Sequence, residues 1–402
     1  MSGHLVEERN IRGYLACEFE GLDERPLGDV DSLVLSCLSY YRLPQEASRA
    51  RTHEGMALGE LFRAEWFEPM TRGLWDPEGL VRLLAAAVAS PRLRGLRVSD
   101  YEDDFSEAQE KQFSACTLRL PGGGAYVSFR GTDNTLVGWK EDFNMAFETG
   151  VPSQLAAVRY LERVAPSVDG PLYLGGHSKG GNLAVYAAAR CPGELAARIE
   201  RVFSHDGPGF TSEALADEAW RERAHLVSKT VPHSSVIGML FERQEDYAVV
   251  ESSTTALAQH DPFSWVVEGA DFVRHEGLAR GASFLDESLN QWIASMTHAE
   301  REGFVDALFS VFAAGGEDTF GELGERWQTS VPAMLREVAR LEPEQRGHIT
   351  RALALLVRSF VPDVSLPQVP ELEPPRLPDL EALLPGRIAG DGKSSDNEVS
   401  EG

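Results

Sequence analysis

The spacing of apolar residues in this chain follows a helical period at both ends and a strand-like one between. In residues 29–41, Val30, Leu33, Val34, Cys37 and Leu38 fall at i, i+3, i+4, i+7 and i+8 behind Asp29, an acid suited to a helix start. That spacing predicts a helix. Residues 56–88 are dense in Leu, Phe, Trp and Ala and read as helical, covering one end of a sheet or acting as a lid. Residues 113–120 (FSACTLRL) and 125–130 (AYVSFR) are strand-like, and Pro121-Gly122-Gly123-Gly124 between them signals a hairpin. A helix follows over 153–164, with Leu155, Val158, Leu161 and Val164 on one stripe. Strands are expected at 172–174, 199–203, 224–227 and 247–251, with a helix at 182–190. Strands separated by helices imply a mainly parallel sheet with right-handed crossovers, the α/β class.

Beyond residue 275 the helical period returns. Residues 283–297, 301–314, 320–341 and 343–360 read as helices, with Phe304, Leu308 and Phe312 every fourth residue and Ile349, Leu353, Leu356 and Phe360 on a second stripe. Residues 361–386 hold seven prolines and 390–402 are polar and acidic. Such composition buries too little surface to offset chain entropy, so an extended or disordered tail is expected. The division is therefore 1–275 as the sheet domain, with helical elements in 1–110, then 276–360 as a helical extension and 361–402 as the tail.

Charge and cysteine usage narrow the function. With 38 Lys plus Arg against 63 Asp plus Glu, the net charge is −25. That balance opposes the phosphate-neutralising surface a nucleic-acid partner requires. Cys17, Cys37, Cys116 and Cys191 are widely spaced with no C-x-x-C pair, which fits reduced thiols and neither a metal site nor a disulfide framework. No apolar run exceeds seven residues, well short of the ~20 a membrane-spanning helix needs. Residues 1–20 carry Glu7, Glu8, Glu18 and Glu20 and no apolar core of a secretory signal. A cytoplasmic protein is expected.

The chemistry concentrates in residues 172–193, where Leu172-Tyr173-Leu174 meets Gly175-Gly176-His177-Ser178-Lys179-Gly180-Gly181 and an alanine-rich stretch. The pentad G-H-S-K-G fits G-x-S-x-G, a turn that presents a nucleophilic serine between strand and helix. Ser178 then needs a base, a group to orient it and donors for an oxyanion. His260 lies downstream in a late loop and is the expected base, ahead of His205, His225, His233 and His275. Asp206, at the end of the 199–203 strand in a glycine-rich turn, is the expected acid. Its competing role is to shape that turn, and Asp246 and Glu242 stay open, whereas Asp261, adjacent to His260, would strain to reach its ring from the correct side. The oxyanion donors are expected from the main chain of Lys179, whose ammonium is taken as exposed, and from Thr132 in Arg130-Gly131-Thr132. His177 should point away and support the turn. The Pro121 to Gly124 turn lacks the Lys-Ser/Thr of a phosphate loop, and no metal or cofactor is expected.

The segment F-R-G-T followed by Gly138-Trp139-Lys140-Glu141-Asp142, then G-H-S-K-G-G, resembles the class 3 lipases. The whole run from about residue 10 to 275 looks more closely like the bacterial Mbeg-like family, a domain of unknown function in that α/β-hydrolase group. Stretches at 10–15, 31–40, 204–210, 231–240 and 259–261 join the match. The resemblance implies an α/β-hydrolase fold and acyl-ester hydrolysis on a small-molecule acyl substrate. The lipases carry their aspartate in a D-P-V-P-like segment one strand later. Here Val227-Ser228-Lys229-Thr230-Val231-Pro232 has no acid, which turns attention to Asp206 or to a Ser–His dyad. Thioester or peptide cleavage on the same serine stays open. So does a non-catalytic scaffold that binds a partner through the helical C-terminal region.

Overall fold

The computed structural model describes residues 8–133, 136–145, 148–235, 237–240, 247–278, 296–314, 327–343, 345–347 and 349. Residues 331, 332 and 335 and several others within helices are described by backbone alone. By its contacts the chain divides after Pro362, and every described residue lies before that point. The expected tail at 361–402 is outside the described residues.

Among these, nine strands form one mixed sheet with helices on both faces. In spatial order they are β1 (Met56–Ala57), β2 (Arg97–Ser106), β3 (Lys111–Arg119), β4 (Ala125–Phe129), β5 (Leu172–His177), β6 (Ile199–His205), β7 (Val227–Pro232), β8 (Tyr247–Val250) and β11 (Arg274–His275). A separate ribbon pairs β9 (Val267–Glu268) with β10 (Asp271–Phe272). Strands β4 to β8 run parallel, and the flanking pairs are antiparallel. Pro121 to Gly124 makes the β3–β4 hairpin, with Gly122, Gly123 and Gly124 all at positive φ.

Alternation along the strands separates two cores. Ala125, Val127 and Phe129 of β4 face α6 (Pro152–Val164) and α7 (Lys179–Arg190), in one cluster with Leu172, Leu174 and Val202. Tyr126 points the other way, beneath α2 (Asp29–Leu38), which packs with α1 (Ile11–Cys17) and α4 (Pro77–Ala89). The Tyr126 hydroxyl meets Ser32 Oγ at 2.7 Å and Ser36 Oγ at 2.9 Å, so the phenol buries its ring without leaving its polar tip unpaired. A buried pair holds the same layer: Arg92 donates to both carboxylate oxygens of Asp31 at 2.7 Å and to the carbonyls of Glu20, Gly21 and Pro26.

Several expectations are corrected. Residues 56–88 are not one helical run: they hold β1, a short 3-10 turn, α3 (Ala64–Thr71) and α4. Leu80, Leu83, Leu84 and Ala87 of α4 lie in the core, so that segment packs. The acid-rich strand β2 escaped the pattern because its alternation is broken at a bulge, where the register shifts between Ser99 and Glu102 and Asp100 takes φ 55°. Residues 224–226 form a 3-10 turn, and β7 begins only at Val227; its polar Ser228, Lys229 and Thr230 hide a strand whose centre is buried. Along α6, Ala157, Tyr160, Leu161 and Val164 form the buried face, while Leu155 is exposed.

Past the sheet, α8 (His298–Ala313) packs on α5 (Leu136–Asn144) and on α9 (Trp327–Arg340). Asp306 of α8 meets Lys140 Nζ at 2.8 Å. Phe304 and Leu308 are buried; the side chain of Phe312, most of 283–297 and most of 343–360 lie outside the described residues. No helix among the described residues is long and apolar enough to cross a membrane.

Candidate functional site

The register of the parallel strands builds the site. His177 at the end of β5 pairs with His205 at the end of β6, so Ser178 and Asp206, each one residue further on, leave the sheet side by side. The ladder continues past both: Ser178 N–H donates to His205 O at 2.9 Å and Asp206 N–H to Thr230 O at 2.8 Å. Thr132 follows β4, Ser235 and Gly238 follow β7, and His260 follows β8. All five loops open at the carboxyl edge of parallel strands, where open α/β sheets collect ligands.

Ser178 is buried and sits at φ 58°, ψ −133°, a strained conformation for a side chain with a Cβ. The turn closes so tightly that a Cβ on Gly176 would lie 2.2 Å from the Gly180 carbonyl carbon, and one on Gly180 would lie 2.1 Å from Phe129 O. The helix thus begins at Lys179, and its first N–H groups have no partner within the helix.

Asp206 is also at positive φ (51°) and almost fully buried. Its Oδ2 meets His260 Nδ1 at 2.6 Å. Its Oδ1 accepts from the Ser235 hydroxyl and from Gly238 N–H at 3.1 Å. A carboxylate facing Nδ1 fixes the proton there and leaves Nε2 of His260 as the basic nitrogen. The His260 main chain is held as well. His177 Nε2 lies 2.9 Å from His260 O, a carbonyl that can only accept, so Nε2 carries the proton. His177 Nδ1 is then the acceptor for the Tyr40 hydroxyl at 3.0 Å. Burial pushes the His177 imidazolium well below its ordinary range, with the neighbouring His260 and His205 adding to the effect. Burial likewise raises Tyr40, which keeps the proton it donates. The His177 and His260 rings lie 4.6 Å apart between centroids. Gln259, the preceding residue, accepts from Ser234 N–H at 2.7 Å and donates to His233 Nδ1 and Thr254 O.

The structure thus brings His260 onto Asp206 and sets the pair beside the Ser178 turn, against the ring of the residue preceding the serine. Ser178 Oγ makes no hydrogen bond among the described residues. The other histidines are occupied elsewhere. His205 is buried between Thr230 Oγ1 (2.7 Å) and Ser32 Oγ (2.8 Å), with burial lowering its pKa to about 4. His225 is exposed and bonds Glu222 O, while His233 stacks on His275 at 5.2 Å. Asp261 turns to Phe263 N–H and Trp75 Nε1, away from the His260 ring; Glu242 and Asp246 lie outside the described residues.

Gly131 lets the loop after β4 run against the serine turn, since a Cβ there would lie 2.6 Å from His177 O and 2.1 Å from the Tyr40 hydroxyl. Thr132 Oγ1 donates to Asp142 Oδ2 at 2.5 Å, and Arg42 pairs with Asp133. One expectation is overturned here. The Lys179 ammonium is not exposed: the side chain is wholly buried, with Nζ 2.8 Å from Glu141 Oε2. The backbone direction of the first helical turn drives it inward, and a buried carboxylate receives it. Nothing in the sequence assigned a role to Ser235, Gly238, Tyr40 or Glu141, and Asp142 stood out only through the lipase resemblance. The W-K-E-D tetrad was visible, but nothing in its spacing says which carboxylate faces in. Among the described residues no group of three or more His, Cys, Asp or Glu side chains is placed to hold a metal ion.

Fold and site together define a mixed α/β protein that carries a serine turn and a histidine–aspartate pair on the carboxyl edge of its parallel strands. The chain belongs to the Mbeg1-like family, whose model matches residues 87–310. The match starts later than the motif resemblance at 10–275 and reaches into α8. Among solved structures the chain is similar to the Rhizomucor miehei lipase in its native propeptide complex, with 13% identity and a TM-score of 0.32 over 55% of this chain and 66% of that one. It is similar in the same degree to the M37 lipase, with 14% identity and a TM-score of 0.31 over 52% of this chain and 68% of that one. The chain thus spans just under two thirds of the length of the Rhizomucor lipase chain. A search among curated proteins finds no match.

Proposed function

We propose that the chain is a serine hydrolase of lipase or esterase type on an α/β-hydrolase fold, cleaving an acyl ester through an acyl-enzyme on Ser178. Ser178 Oγ attacks the carbonyl carbon while His260 Nε2 takes its proton, and Asp206 holds the imidazolium that results. The oxygen that becomes negative is received by Lys179 N–H and by Thr132. Collapse expels the alcohol, which takes the proton back from His260. Water then adds to the acyl-enzyme by the same route and releases the acid and free Ser178. The observation that carries this reading is the 2.6 Å contact between His260 Nδ1 and Asp206, set beside a serine in a strained turn. The lipase likeness in fold is too distant to add weight. Thioesters and peptides are alternative acyl donors for the same machinery, which pocket shape decides.

One observation favours a second reading, a binding protein without catalysis: Ser178 Oγ is not hydrogen-bonded to His260. Such bonds commonly tighten only with substrate in place. A single experiment separates the two. A fluorophosphonate probe should label wild type at Ser178 and leave Ser178→Ala unlabelled. A panel of acyl esters of increasing chain length should be hydrolysed only by wild type. Folded wild type that stays unlabelled beside a reactive control hydrolase would rule out the enzyme.

A further inference from the structure

Next to the Ser178 turn lies a buried ionic cluster that the proposed reaction does not yet use. The Lys179 ammonium lies 2.8 Å from Glu141 Oε2 and 3.7 Å from Asp142 Oδ1. Glu141 is fixed in turn. Its Oε1 accepts from Ser153 N–H at 2.8 Å, and its Oε2 accepts from the Ser153 hydroxyl at 2.7 Å and Gln112 N–H at 3.0 Å. It therefore joins α5 to the start of α6 and to β3. Asp142, the next residue, sends Oδ2 to the Thr132 hydroxyl, while its buried Oδ1 has no hydrogen-bond partner. Burial raises the Asp142 carboxyl to about 6, with Lys179 and the Thr132 hydroxyl opposing the rise.

Placing a cation here is expensive, since an apolar side chain of similar volume would pack without the loss of hydration. The cluster has a geometric consequence that an apolar residue would not supply. The two oxyanion donors come from separate elements: Thr132 from the loop after β4, and the Lys179 N–H from the first turn of α7. Donors stabilise an oxyanion only when held about 2.7–3.1 Å from where it forms. Lys179 spans the two elements. Its N–H belongs to the helix, and its ammonium grips the carboxylates that end at Thr132.

We propose that Lys179 is a positioning residue of the oxyanion hole, and that the chain Lys179, Glu141, Asp142, Thr132 fixes the separation of its two donors. The inference rests on the serine-hydrolase reading and goes beyond it by giving the buried lysine and its two acids a role in transition-state binding.

The test uses Lys179→Met/Glu141→Gln, which removes both charges of the 2.8 Å pair and leaves Asp142 without its nearby cation, and Asp142→Ala, which cuts the chain at a less buried link and keeps the Lys179–Glu141 pair. For each, kcat and KM on an acyl ester are measured with the affinity for a trifluoromethyl ketone, a tetrahedral-adduct former, and the melting temperature. The expected signature is a fall in kcat on the order of 10²–10³-fold, the loss typical of one oxyanion donor, with KM within about threefold. Ketone affinity should fall in step with kcat. Folded variants with kcat near wild type, or a fall in kcat without loss of ketone affinity, overturn the inference while the hydrolase reading stands. If the double variant does not fold, Asp142→Ala decides by the same criteria. Wild type inert to both ester and fluorophosphonate overturns the hydrolase reading, and this inference with it.

Discussion

At the scale of single residues, the site turns on one carboxylate and what holds it. Asp206 Oδ2 faces His260, and Oδ1 is occupied by Ser235 and Gly238, so the acid cannot rotate without leaving buried donors unpaired. Asp206→Asn keeps the shape but can present an amide N–H to Nδ1 and so favour the wrong tautomer. A loss in kcat on the order of 10⁴-fold is expected, with KM little changed. Ser235→Ala removes one of two donors and should cost about tenfold, in line with roughly 1–1.5 kcal/mol for one hydrogen bond. Steady-state kinetics on both variants check this; equal effects would show that Ser235 is as essential as the acid it supports. How legible these residues were follows from their physics. Ser178 stood out because a turn of that shape demands glycines at fixed offsets. Asp206 was suggested by its position at a strand end. Ser235 and Tyr40 could not be singled out, because a hydroxyl that supports another group obeys no spacing rule. Lys179 was misjudged for a related reason: lysines are mostly exposed, and only a buried partner far along the chain reverses that expectation.

At the scale of elements, the helix α7 and the strands β4 and β5 approach so closely that their contact is backbone on backbone. A Cβ at Gly180 would meet Phe129 O at 2.1 Å, with main chain on both sides and no flexible side chain to yield. Gly180→Ala is therefore expected to destabilise by about 3 kcal/mol or more, at or beyond the upper end for overpacking, and to lower the melting temperature by several degrees. A variant that melts with wild type would mean that the helix can shift outward freely. The interior parallel strands and the Pro121 to Gly124 hairpin were readable because each is a short apolar run bounded by turn residues. The strand β2 was not, since a bulge breaks its alternation and acids occupy its outer part. In α6 the stripe was misplaced by about one residue, because small Ala157 and amphipathic Tyr160 carry the buried face as much as the larger aliphatics do.

At the scale of the molecule, buried titratable groups set the response to acid. Burial holds His205 near 4 against an ordinary 6.5, so between those values the unfolded chain binds more protons and stability falls as pH falls. That interval corresponds to roughly 3 kcal/mol when fully expressed. His177 acts in the same direction. Asp142, raised to about 6 from 3.8, acts oppositely: the folded state binds the extra proton, so its contribution shrinks as pH rises through that range. Asp261, whose carboxyl burial also raises, acts with Asp142, while Asp217, held low by its hydrogen bond to Arg190, joins the two histidines. Thermal melts are expected to drop between pH 7 and 4.5, and His205→Gln should flatten part of that drop; parallel curves for variant and wild type would refute the assignment. The order of the sheet has a consequence for association between copies. Every strand that carries a site loop lies inside the sheet, whereas its margins are the two-residue strands β1 and β11. Beyond β1 the open side of β2 carries Glu102, Asp103 and Asp104. Among the described residues, the parallel ladder β4 to β8 is bounded on both sides by antiparallel strands, so its own edges are covered and do not offer a second chain a template.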